Sequence, residues 1–153
     1  MASNVMTVTG TKVSTFAGEP ATYDETVMAA LAWVEIGEIT NVGTLGATVT
    51  PVTHIAVADG VEVNRKGHVS YGDMAMTLGF DGVDVGQIAI DAAVDGAQKN
   101  TIHSLKVEYS SGVIRYVTGM WFAYEEIIGE ADSIVGANAT FKPDQKPIKV
   151  VAA

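Results

Sequence analysis

Residues 46–80 read GATVTPVTHIAVADGVEVNRKGHVSYGDMAMTLGF, and the rest of the chain is organised around them. The first part, 47–66, is a segment of about 20 residues between two candidate strands, where connections in compact domains run to about 4–6 and longer ones serve a function. Residues 49–57 are apolar and β-branched but interrupted by Pro51, which confines them to an edge or an extended segment. Asp59 and Gly60 form a hairpin-type turn, and 61–66 (VEVNRK) return. The expectation is a protruding ribbon of two short strands with exposed apolar side chains and an unpaired edge, which invites a partner chain. From His68 the alternation sharpens: Met74, Met76, Leu78 and Phe80 face one way, and Asp73, Ala75 and Thr77 the other. The first set is the expected core side.

Outside this stretch, period-two patterning dominates. Residues 11–16 alternate and end at the turn signal Gly18-Glu19-Pro20, and 33–42 (WVEIGEITNV) alternate as one further strand. Residues 24–32 read either as a short helix capped by Asp24 or as an irregular approach to that strand. One helix is expected over 85–94, with Asp84 as N-cap, Gly96 as terminator and an apolar stripe of Val85, Ile88, Ala89, Ala92 and Ala93. Ser110-Ser111-Gly112 joins 102–109 to 113–123 in the clearest hairpin, and 133–142 read as a last strand. The ends, 1–10 and 143–153, read as an arm and an extended tail, with 148–151 able to pair with a neighbouring chain. The fold expected is mainly β, two packed antiparallel sheets in a sandwich or barrel with one flanking helix, forming a single domain over 1–153.

Composition excludes several functions. The chain has 153 residues with 18 acidic and 9 basic side chains, a formal net charge of -9, and its Lys and Arg are scattered, so it lacks the basic stripe that holds phosphate backbones. With no cysteine, disulfides and thiolate metal sites are ruled out. The first residues carry no signal-like pattern and the longest apolar run, 27–34, falls short of a membrane span, so neither a cleaved leader nor membrane insertion is expected. His54, His68 and His103 lie in separate segments without metal-ligand spacing, and no HExxH, GxSxG or phosphate-loop pattern occurs. Glu125 and Glu126, as strand neighbours, point to opposite faces and make no acid–base pair. Tyr116, Trp121, Phe122 and Tyr124 sit beside glutamates rather than arginines, which places them in the core or at a subunit contact. A small acidic β domain with an apolar arm and no cofactor or catalytic constellation reads as a self-assembling structural subunit.

The sequence also resembles a known family, the major tail tube proteins of long-tailed, lambda-like (siphovirus-type) bacteriophages. The matching residues are 20–24 (PATYD), Trp33 with 36–43 (IGEITNVG), Ala58-Asp59-Gly60, Lys66-Gly67, 71–78 (YGDMAMTL), Gly86-Gln87 and 116–119 (YVTG), spread over about 11–142. The resemblance implies a fold related to the type VI secretion tube subunit, in which six copies form a ring and rings stack into a tube that passes double-stranded DNA into the host. It implies a virion protein made in the host cytoplasm, whose partners are itself and the tail terminator, tail tip or baseplate and tape measure proteins. The arm would contact the next ring through Val49, Val52, His54, Ile55, Val57, Asp59, Val61 and Val63. Glu35, Glu38, Asp73, Glu125, Glu126 and Glu130 are the candidates to line the lumen, because an acidic wall leaves DNA free to slide. Two alternatives are the tube subunit of a contractile tail or injection machine, which shares the subunit fold, and a small-molecule-binding β-barrel.

Overall fold

The computed structural model describes residues 5–151. Ten strands and two helices follow in the order β1 (Lys12–Phe16), α1 (Glu25–Ala29), β2 (Val34–Ile36), β3 (Ile39–Asn41), β4 (Thr48–Ile55), β5 (Glu62–Ser70), β6 (Met74–Gly79), α2 (Val85–Asp95), β7 (His103–Glu108), β8 (Ile114–Ile127), β9 (Gly136–Pro143) and β10 (Ile148–Val150). All but β4 and β5 belong to one antiparallel sheet of order β2-β1-β7-β8-β9-β6-β3, with β10 also on β8. Strand β8 is its hinge. Residues from Ile114 to Gly119 pair with β7, and from Gly119 to Ile127 with β9, so one long strand belongs to both halves of the sheet. At Gly119, which pairs with both His103 and Pro143, a Cβ would sit 2.9 Å from the carbonyl carbon of Lys142. Glycine is what lets β9 come in that close.

The two expected layers are therefore the halves of a single rolled sheet. Its terminal strands, β2 and β3, are consecutive in sequence, and only Gly37 and Glu38 separate them. The single strand expected over 33–42 is thus broken at a corner, where Glu38 takes φ 62°, a left-handed conformation that non-glycine residues rarely adopt. Period-two patterning continued through the corner because both halves are extended, which hid the break. Side chains of both halves meet in one core: Val13, Leu105 and Val107 from one, Met74, Met76, Leu78, Ala139 and Phe141 from the other, with Trp121 edge-on to Phe141 at 5.0 Å. Each large side chain so buried contributes about 1.5–3 kcal/mol.

The corner is held by α2. Asp84 caps the helix by accepting from Gln87 N at 3.0 Å and also accepts from Gly37 N at 3.1 Å. Gln87, fully buried, donates through Nε2 to the carbonyls of Gly37 (3.2 Å) and Gly79 (2.9 Å), while its Oε1 accepts from Asp81 N (3.1 Å) and the Tyr124 hydroxyl (3.0 Å). The helix face differs from the expected stripe. Gly86, Gln87, Ile90 and Ala93 are the buried positions, whereas Val85 and Ile88 are exposed. The reason is a close backbone approach: a Cβ on Gly86 would lie 2.6 Å from Ile36 Cα, so this side of the helix is the one that can press onto β2.

Two other expectations change, and one open alternative is decided. Phe80 lies beyond the end of β6 and is exposed rather than in the core, its N–H donating to Val135 O at 2.9 Å. Residues 148–150 pair with β8 of their own chain instead of a neighbour. The first helix does form, with Asp24 as its cap, and its segment covers the outer face of the β1-β7 half: Trp33 stacks on Tyr116 at 5.8 Å and meets Phe16 edge-on. Tyr23 pins this cover, its hydroxyl donating to Lys146 O at 2.6 Å and placed 3.2 Å from Tyr116 O. Burial, and then the Asp144 carboxylate, push its pKa up to about 12. Of the expected N-terminal arm, residues 1–4 lie outside the described residues, and so do 152–153 of the tail.

Candidate functional site

The arm is a separate two-stranded sheet, β4 paired with β5, and it runs to Ser70, four residues past the expected boundary of 66. Gly60 turns the tip with φ 65° and donates to Ala56 O at 2.8 Å, while Asp59 accepts from Val61 N at 3.0 Å. One residue more on β5 than on β4 makes a bulge opposite Thr50. There a Cβ on Gly67 would come within 2.7 Å of Thr50 O. Polar side chains tie the two strands together, Thr53 to Asn64 at 2.8 Å and Thr50 to His68 at 3.1 Å.

Every residue of β4 is exposed. Of the residues expected in the contact, Val49, Val52, His54, Ile55, Val57, Asp59 and Val61 are exposed and Val63 is half-buried. Strand alternation gives both faces of the ribbon apolar side chains: Val52 and His54 with their partners Arg65 and Val63 on one, Val49 and Ile55 opposite Val69 and Glu62 on the other. A lone hairpin is marginally stable in water at best, so this ribbon is built to be covered.

The second feature is the bare outer face of the β8-β9-β6 half. Its cross-strand sets are mostly small, Thr140 between Ala75 and Ala123, Asn138 between Thr77 and Glu125, and Gly136 between Gly79 and the exposed Ile127. Asp73 and Lys142 form an exposed ion pair of 3.8 Å at its edge. The six candidate carboxylates do not share this face. Asp73 and Glu125 lie on it. Glu126 pairs with Ala137 and so points to the opposite side, Glu35 pairs with Ser14 in the other half, Glu38 sits at the corner, and Glu130 is in the loop after β8. All six are exposed. Of the small residues of this face, Ala75 and Thr77 lie with Asp73 on the side expected from sequence, whereas Asn138 and Thr140 are not singled out there, although alternation against Ala139 and Phe141 marks them.

No group of three or more potential metal ligands occurs among the described residues. His103 is buried, its Nδ1 donating to Thr101 O at 2.9 Å, while His54 and His68 are on the exposed arm. Among the described residues no helix is long and apolar enough to cross a membrane.

No family model matches the chain, and no curated protein matches its sequence. Solved structures do match it. A chain of the six-fold symmetrised baseplate of the anti-feeding prophage superposes with a TM-score of 0.70 at 9% identity, over 98% of this chain and 97% of that one. A chain from the sheath/tube terminator of the PVC extracellular contractile injection system in its extended state gives 0.65 at 12% identity, covering 99% and 100%. A chain from the tail of an empty GTA particle with C6 symmetry gives 0.62 at 12% identity, covering 92% and 95%. The chain thus has a phage tail-type fold over nearly its whole length. These structures carry that fold and not the lambda-like subgroup.

Proposed function

We propose that this chain is a structural, non-enzymatic subunit that assembles six to a ring, with rings stacked into the tube of a phage-like tail and the arm laid on the adjacent ring. The observation that carries the reading is the arm: a free-standing apolar hairpin rooted in a rolled sheet of tail-type fold needs a surface outside its own subunit. The six-fold symmetry of two of the matched assemblies supports the copy number. The partners are further copies of itself and the proteins that end the tube. In this reading the bare face with Asp73, Glu125 and the small residues of β6 and β9 lines the lumen, offering double-stranded DNA no cationic foothold but the neutralised Lys142. A second reading is the inner tube of a contractile machine, favoured by the contractile system among the matches. Co-purification of the tubes with a contractile sheath would select it.

The test is removal of the arm. Because Thr48 and Ser70 are cross-strand partners, a short glycine–serine link can replace 48–70 without stretching the barrel. The shortened chain is expected to melt within a few degrees of the full-length protein and to form no tubes in negative-stain micrographs. Tubes of normal length from that chain would overturn the reading.

A further inference from the structure

The two ends of the barrel differ in charge and shape, and the difference is complementary. At the end where the arm is rooted, an open cleft of about 1210 Å³ is lined by apolar side chains, among them Val42, Leu45, Met74 and Val107, by residues 5–8 of the chain's own N-terminal segment along one side, and by two cations, Arg115 and Lys149. Both cations are placed there by register. Arg115 is the cross-strand partner of Val107 on one side and of Lys149 on the other, so all three project from the same face of the sheet, the core face, where it opens into the cleft. Neither cation forms an ion pair among the described residues, and the buried Arg115 Nε has no hydrogen-bond partner. A guanidinium keeps its charge at any ordinary pH, so a half-buried one without an anion is held at a cost that an incoming carboxylate removes.

The opposite end supplies such an anion. Strand β8 starts at the cleft and runs for 14 residues, roughly 45 Å at the usual rise, to the far end of the barrel. There the loop 128–135 (IGEADSIV) turns through Gly129 at φ 69° and a bond from Ser133 N to Glu130 O of 3.0 Å. It holds out Ile128 and Ile134, 71% and 90% exposed, beside the carboxylates of Glu130 and Asp132. Residues 80–95 and 124–135, which build this end, contain eight carboxylates and no Lys or Arg. One end therefore offers an apolar, acidic protrusion and the other an apolar, cationic cavity.

We propose that the cleft receives the loop 128–135 of a second copy of this chain, with Glu130 and Asp132 meeting Arg115 and Lys149 and Ile128 or Ile134 entering the apolar wall. Different patches on opposite ends make a heterologous contact, which repeats without closing and so produces a stack. The arm leaves from the cleft end, so arm and cleft engage the same neighbour. The assignment of that neighbour to the adjacent ring rests on the tube reading, while the contact itself does not.

The absence of cysteine from the chain makes the test direct. Full-length protein carrying Ser111→Cys at the cleft rim and Ala131→Cys in the loop is oxidised and run on a non-reducing gel, beside each single variant. A ladder of multiples from the double variant, with at most dimers from the singles, is expected. Adding Glu130→Lys and Asp132→Lys, both on an exposed loop, should reduce the ladder at least tenfold at physiological salt while the circular dichroism spectrum stays unchanged. Absence of a ladder overturns the proposal, including the case in which the chain's own N-terminal segment fills the cleft. So does a ladder that the charge reversal leaves intact. Micrographs of the unmodified protein separate the two readings: a ladder without tubes removes the tube reading alone, and tubes without a ladder remove this contact alone.

Discussion

Replacing Gln87 with leucine keeps the size of the side chain and removes four hydrogen bonds at the corner that joins the two edge strands of the sheet. Its amide nitrogen serves the carbonyls of Gly37 and Gly79, and its oxygen serves Asp81 N and the Tyr124 hydroxyl, so the corner after β2, the end of β6, β8 and the turn before α2 all lose a tie at once. A net hydrogen bond contributes about 0.5–1.5 kcal/mol, and a buried polar group left without a partner costs about 1–3 kcal/mol. The residue is 1% exposed, so water does not replace the amide, although Tyr124 and Asp81 sit nearer the surface and regain part of what they lose. Set against about 1–2 kcal/mol regained by burying an apolar side chain, the net loss expected is about 2–4 kcal/mol. For a domain of this size that lowers Tm by roughly 4–15 °C. Urea unfolding followed by circular dichroism measures it, with Tyr124→Phe, which removes a single bond, expected to lose about 1 kcal/mol. A Gln87→Leu protein within 0.5 kcal/mol of the parent, roughly the error of such a measurement, would refute the claim that this amide holds the corner.

Two further outcomes follow from the same geometry. Tyr23 has its folded pKa raised to about 12 against an unfolded value near 10, so its neutral form is favoured by folding; the stability this gives is complete below about pH 10 and is lost as pH rises toward 12. Urea midpoints measured across that window should fall with pH in the parent and fall less in Tyr23→Phe. On the proposed lumen face, Asp73→Lys with Glu125→Lys should leave tube assembly intact and give tubes that retain double-stranded DNA. That retention should weaken steeply with added salt, read as DNA co-sedimenting with the tubes, whereas unchanged DNA release would remove this face from the lumen.

Local rules reached the elements whose local pattern and tertiary role agree. The hairpin at 110–112, the Asp84 cap, the ribbon turned at Gly60 and the inward set Met74, Met76 and Leu78 are all legible, because each is decided by a few neighbouring residues. The helix face was not, because hydrophobicity favoured Val85 and Ile88 while close approach to Ile36 favoured Gly86, and the approach won. The proposed lumen set scattered for a similar reason. A carboxylate at an alternating position announces exposure but not which exposed face it joins.

By itself the sequence determined the β-rich class, the apolar projecting arm and the acidic balance, since these depend on composition and on patterns within about ten residues. Only the tertiary structure decided that β2 and β3 part at Glu38 to become the two edges of one rolled sheet. It also decided which face of β6 and β9 stays bare, and that Arg115 and Lys149 converge at the opposite end from Glu130 and Asp132. Those facts rest on pairings between residues far apart in the chain, and alternation of period two is the same whichever strands are joined.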